Sequence, residues 1–311
     1  MPEKQKNRYA NSVRIVGYLK ENNLETVINS RGDKVIRGSL VIATTKTSSY
    51  KVQFYVSALT SSGEPSQDYE RLSVLLPINT TTVASVLKSD PNADFDSAIA
   101  TATKVWVMAR LDEYASRSGE RETSMITIKG FRGGVASEDK FKPCAEFEAD
   151  VYVSGMSDEV KDDVKTGRLC LECVVPKYKE IMDRIDFIAG AEGNAAQFIS
   201  SHWKVGDTVH IGGDLVNVQE RILVENETPG EGFGRFTEPQ YETRFVRERV
   251  ITTGGPCKCD PITAAMVKEG LAQRVILMDK NGARAKQSPG AGSANAAEGT
   301  ATKADLNEMD F

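Results

Sequence analysis

Residues 184–214 read RIDFIAGAEGNAAQFISSHWKVGDTVHIGGD, and they switch periodicity twice. RIDFIAGA alternates polar and apolar side chains, the pattern of a strand with one face on a core. EGNAAQFISSHW has the length and spacing of a short helix. After the turn Lys204-Val205-Gly206-Asp207, DTVHIGGDLVNVQ alternates again. Strand, helix, strand is the centre of the pattern, and the flanking segments decide which fold it belongs to.

Upstream, ADVYVSGM and GRLCLECVV read as two further strands, and downstream YETRFVRERVITTGG reads as a last one. Five strands with a helix after the third is the order of an OB fold, the five-stranded Greek-key barrel. The N-terminal half repeats the order. SVRIVGYLKENNLETVI (12–28), KVIRGSLVIATTK (34–46) and YKVQFYVSA (50–58) form a three-strand meander. Residues 61 to 90 hold a loop with potential for a short helix despite Pro77, and TKVWVMARLDEY (103–114) and TSMITIKGFRGGV (123–135) complete the five. The fold class expected is mainly β, with two tandem OB-fold domains at residues 10–137 and 145–257. A helix over 260–281 follows, with Asp260 as N-cap, Pro261 at its first position and Ile262, Met266, Leu271 and Val275 on the face that docks on the second barrel. Residues 282–311, rich in Gly, Ala and Ser, form a flexible tail.

Composition narrows the function. The net charge is −5, so binding to a polyanion depends on a local patch and not on the field of the whole protein. Five cysteines, an odd number in a chain of 311 residues, argue against a disulfide framework and for a reducing compartment. No apolar run approaches membrane-spanning length, and the N-terminus carries charges without a secretory apolar stretch. The expectation is a cytoplasmic protein with no membrane partner, monomeric or homodimeric.

Strand alternation sorts the outward side chains. In the first barrel Arg37, Lys51 and Tyr55 face out, as do Lys104, Trp106 and Arg110, then Lys129 and Phe131, with Arg132 in the following turn. In the second, Phe245, Arg247 and Arg249 face out, and Lys177, Tyr178 and Lys179 follow the second strand at a turn. Arg168 and Glu172 share a face and partly cancel. Phe233, Arg235 and Phe236, in the Gly-rich loop between strands four and five, are positioned as loop contacts. Aromatic faces among cations are what single-stranded nucleic acid requires: rings for the bases and charge for the phosphates. The same surface also suits an OB-fold structural or adaptor protein whose exposed aromatics form protein–protein interfaces, with outward Lys and Arg serving solubility.

The residues 184–214 resemble the single-stranded DNA-binding protein family, namely its third strand, its helix and the Lys-x-Gly-Asp turn before its fourth strand. The ending ADLNEMDF (304–311) is similar to that family's acidic tip closed by Phe. Here Leu306 and Met309 interleave with Asp305, Glu308 and Asp310 before Phe311. The resemblance implies a protein that coats and protects single-stranded DNA in replication or recombination and recruits replication or recombination proteins through its tip. Two barrels and a short tail look more like a phage-encoded member, acting in the host cytoplasm, than a host copy.

Other constellations carry less. Cys170 and Cys173 form a C-x-x-C inside a strand, where residues three apart face opposite ways, and Cys257 and Cys259 form a tight C-x-C; all four are weak zinc candidates, and no metal or cofactor is expected. Gly230, Gly232 and Gly234 lack the strand-to-helix context of a phosphate loop. His202 and His210 stand near no nucleophile or metalloprotease motif. The expectation is a binding protein and not an enzyme.

Overall fold

The computed structural model describes residues 9–287 except 91, 162, 178–180, 192–193 and 225–239. Its first half contains β1 (Asn11–Asn22), a short β2 (Glu25–Ile28), β3 (Lys34–Ala43), β4 (Ser49–Ser57), β5 (Lys104–Ser118) and β6 (Arg121–Val135). β1 pairs antiparallel with β3 and β5, β3 with β4, and β5 with β6, while β4 runs parallel to β6. The circuit closes on itself as an OB barrel does. Residues 12–28 do not make a single strand. The Asn22 side chain accepts the Leu24 N–H at 3.1 Å and donates to the Leu75 carbonyl at 2.7 Å, so the chain turns there and β2 returns along the edge of β3.

The insertion between β4 and β5 holds three short helices where the sequence suggested one: α1 (Gln67–Ser73), α2 (Val83–Ser89) and α3 (Phe95–Thr101). Ser66, Thr82 and Asp94 cap them, and Ser85 and Ser97 complete capping boxes in the last two. Such caps need no long apolar period, which is why a periodicity search underestimates this region. Pro77 opens a 3-10 turn between the first two helices.

The second half repeats the circuit with β7 (Cys144–Lys161), β8 (Val164–Pro176), β9 (Met182–Ala189), α4 (Ala195–His202), β10 (Thr208–Val224) and β11 (Gln240–Pro256). β7 pairs with β8 and β10, β8 with β9, and β10 with β11, while β9 runs parallel to β11. Inside it Phe147 and Phe187 pack with centroids 5.2 Å apart. In the first barrel the Phe54 ring fills the space over Gly130, where an added Cβ would stand 2.3 Å from it.

The barrels share hydrogen bonds. The first half of β1 pairs with β7 from Asn11–Ala149 to Val16–Cys144, so all eleven strands form one continuous sheet. At a second contact the β3–β4 turn meets β10: Gln219 N–H donates to Thr47 at 3.0 Å, and Tyr50 donates its hydroxyl to the Leu215 carbonyl.

α5 (Ala264–Gln287) starts later and runs further than the sequence suggested. Thr263, not Asp260, is its cap: the Thr263 hydroxyl accepts the Met266 N–H at 3.2 Å and the Thr263 carbonyl accepts that of Val267 at 3.0 Å. Ile262 is held to the second barrel through Thr208, and with Val267 it packs on Val174 and Met182. Met266 faces solvent. The buried face is Val267, Gly270, Arg274, Met278, Asn281 and Gly282, and it lies mainly on β5 of the first barrel. Gly282 permits this approach, since a Cβ there would fall 1.7 Å from the Arg117 carbonyl oxygen. The helix is therefore a strap across both barrels and not a cover for one.

Under the strap lies a set of buried charges. Arg274 donates to Glu113 from Nε at 2.7 Å and from Nη2, and Glu113 also accepts from Ser124 and from the Arg184 N–H at 3.0 Å. Burial by itself raises the Glu113 carboxyl, but these bonds outweigh it and hold the group below its ordinary value. Asp183 accepts the Glu113 N–H at 3.0 Å and lies 3.6 Å from Lys177. Burial pushes its carboxyl up to about 6, which Lys177 only partly offsets. The folded state then holds a proton that the unfolded chain, with an ordinary value near 4, has released. Between about pH 4 and 6 stability is expected to fall as pH rises, through this group, and Asp183→Asn is expected to flatten that slope. Urea unfolding of both proteins at about pH 4.5 and 6.5 checks it; an unchanged slope in the variant contradicts it.

Candidate nucleic-acid interface

Between the barrels runs a cleft enclosing about 200 Å³. Lys51 and Gln53 of β4 form one wall with Met125 to Ile128 of β6. Leu215 to Asn217 of β10 and Arg247 to Arg249 of β11 form the other. The first wall joins the third strand of an OB barrel to its fifth, and the second belongs to the long hairpin that carries the loop between strands four and five. Those are the surfaces that OB folds use for oligonucleotides and oligosaccharides.

Alternation in β4 aims Lys51, Gln53 and Tyr55 outward while Tyr50, Val52, Phe54 and Val56 are buried. On β6, Met108 pairs with Arg132 but Ala109 with Gly130, so Phe131 is the extra residue of a bulge and its side chain is 42% exposed. Tyr55 and Phe131 come directly after the paired Phe54 and Gly130 on neighbouring strands. On β11, Phe245 is 55% exposed and the Arg247 guanidinium stands 5.8 Å from its ring centroid. Arg249 is more deeply set, with Nε donating to the Asp186 carbonyl at 2.6 Å. Glu248, between the two arginines, is paired with Arg168 at 3.1 Å, which offsets its negative charge in the cleft wall. Among the described residues Lys51, Arg110 and Arg247 make no ion pair.

Other sequence candidates have different surroundings. Lys129 is 2.7 Å from Asp112, and Lys177 contacts the same carboxylate, so both ammonium groups lie inside the junction between the barrels. Burial depresses Lys129, and Asp112 only partly restores it. Arg37 pairs with Glu25 at 3.0 Å and Arg132 with Asp68 at 2.6 Å; Lys104 pairs with Glu138 and lies 5.2 Å over the Phe141 ring. Arg132 is within β6 and not in a turn after it. Trp106 points outward on β5, half-buried, with its ring against Gly134. It does not line the cleft. Tyr178, Lys179, Phe233, Arg235 and Phe236 lie outside the described residues, as do Asp305, Leu306, Glu308, Met309, Asp310 and Phe311 of the tip.

Gln53, Met125 and Asn217 also line the cleft and were not singled out from sequence. Alternation marks Gln53 and Met125 as outward, but nothing local indicates that β10 would face them. Of the cysteines, Cys170 is half-exposed and Cys173 buried, on opposite faces of β8, and burial pushes the Cys173 thiol well up. They cannot chelate one ion together.

The YorF family model matches residues 10–282, nearly all of the described chain. The chain belongs to the YorF family. No curated protein matches this YorF-family chain in sequence. Among solved structures it is similar to the wild-type single-stranded DNA binding protein from Thermus aquaticus, with 14% identity and a TM-score of 0.46 over 83% of this chain and 97% of that one. A deletion mutant of that protein, which also carries a point substitution, matches with 10% identity and a TM-score of 0.44 over 82% of this chain and 98% of that one. Among the described residues of this YorF-family chain, no helix is long and apolar enough to cross a membrane.

Proposed function

We propose that this YorF-family chain binds single-stranded DNA without catalysing a reaction, using residues 10–137 and 145–257 as two OB domains that share one strand. The observation that carries the reading is the cleft itself. It sets Lys51 opposite Arg247 and Arg249. Tyr55 follows the lining Gln53 by two residues on β4 and Phe245 precedes Arg247 by two on β11, so these rings, exposed like that of Phe131, stand outside the lining on strands that form it. Cations track phosphates and rings stack bases, a combination that tolerates any sequence. Duplex DNA has its bases already stacked and offers these rings nothing.

In this reading the protein coats exposed strands during replication or recombination, in the cytoplasm of a host cell if phage-encoded. Its acidic ending, Asp305 to Phe311, recruits proteins of the same process. It acts as a monomer or homodimer. The adaptor reading draws on Arg37, Lys104 and Arg132, whose charges are met by carboxylates.

Salt dependence separates the two. Anisotropy of a labelled oligothymidylate is expected to show affinity falling linearly on a log–log plot, with a slope of roughly −0.7 for each phosphate neutralised. Lys51→Ala and Arg247→Ala are each expected to reduce the slope by about 0.7. A salt-insensitive complex, or slopes unchanged in both variants, contradicts the reading.

A further inference from the structure

Where β11 ends, the chain brings Cys257 and Cys259 beside Asp150 of β7. Their ligand atoms, two sulfurs and one carboxylate oxygen, all lie within 4.8 Å of one another. Cys259 Sγ is 3.7 Å from Asp150 Oδ2, and the Cys259 N–H points at Cys257 Sγ at 3.3 Å. A tetrahedral zinc ion with Zn–S near about 2.3 Å and Zn–O near about 2.1 Å separates a sulfur from an oxygen ligand by about 3.6 Å. The observed spacing therefore fits donors that share one ion.

The carboxylate is also placed as a ligand would be. Asp150 is 4% exposed, deep enough that its charge needs compensation. The Ala10 N–H reaches Oδ2 at 2.6 Å and His210 Nδ1 reaches Oδ1 at 2.8 Å, while among the described residues no Lys or Arg pairs with it. These two contacts fix the orientation of the group, as outer contacts fix metal-bound carboxylates elsewhere.

We propose that Asp150, Cys257 and Cys259 form a site for a thiophilic divalent cation of the zinc type, with water as a fourth ligand and His210 as a positioning residue. Binding releases the two thiol protons to solvent and forms two metal–sulfur bonds and one metal–oxygen bond, with no change of oxidation state. The ion would clamp β7 to the segment that leads into α5, beside the bond from the Tyr9 hydroxyl to the Asp260 carbonyl at 3.0 Å. This role is structural and independent of the DNA reading.

Cobalt(II) added to the full-length reduced protein is the test. One equivalent per chain is expected to give a thiolate-to-cobalt charge-transfer band and visible bands of tetrahedral intensity, both removed by zinc. Cys257→Ser with Cys259→Ser is expected to abolish them and Cys170→Ser to leave them intact. His210→Ala is expected to weaken cobalt binding about 10- to 100-fold. Should the double variant fold poorly, the wild-type protein still decides: zinc must slow alkylation of Cys257 and Cys259, read peptide by peptide, and leave Cys170 unchanged. Absent bands, bands that persist in the double variant, or alkylation of Cys257 and Cys259 indifferent to zinc would overturn the proposal.

Discussion

Arg274→Ala is expected to lower stability by about 3–5 kcal/mol, because it leaves Glu113 buried with no cation beside it. Glu113 is 4% exposed and Arg274 7%, so water cannot replace the lost partner without opening the junction between α5, β5 and β9. Removing both charges with matched volume is a different perturbation. Glu113→Gln with Arg274→Met is expected to cost far less than Arg274→Ala, since no uncompensated charge remains. The residual cost comes from the Ser124 and Arg184 contacts, which an amide satisfies only in part. Urea unfolding of the three proteins checks this. A loss under about 1 kcal/mol in Arg274→Ala would mean that the pair behaves as a surface ion pair.

The second large effect concerns binding. Tyr55→Ala, Phe131→Ala and Phe245→Ala are each expected to weaken single-strand binding by about 1–3 kcal/mol, or roughly 5- to 150-fold in Kd. Phe131 is the most informative because the bulge holds its ring outward at little cost to the core, so its truncation reports stacking and not folding. Trp106→Ala is expected to act the other way. Its ring packs on Gly134 away from the cleft, so its loss reduces stability more than affinity. Anisotropy titrations at one salt concentration, with unfolding midpoints measured alongside, separate the two kinds of effect.

Alternation made most of the strands legible because each barrel wall has one dry face. β5 shows where that reading stops. From Lys104 to Leu111 its burial alternates strictly, and then Leu111, Asp112 and Glu113 are buried in succession. The partner that makes Glu113 possible is Arg274, 161 residues away, and no local window contains both. Lys129 and Lys177 read as phosphate contacts for the same reason: their carboxylate, Asp112, comes to them through the docking of one barrel on the other. The adjacent acids in ARLDEYA were the available signal, since two carboxylates in a row rarely fit a strand that continues into a core. Capping, in contrast, was written locally: Ser66, Thr82 and Asp94 each precede a helix that a search for apolar periods passes over.

The cleft gives the account its sharpest test, because a strand shared by two barrels must be long enough to reach both. Labelled oligothymidylates of increasing length, and a duplex of the longest length, are titrated with full-length protein at low salt. Affinity is expected to rise with length until the strand spans both barrels, on the order of 8 to 32 nucleotides, and the duplex is expected to bind far more weakly than the matched single strand. An affinity that stops rising at a length covering one barrel, or equal binding of duplex and single strand, would contradict it.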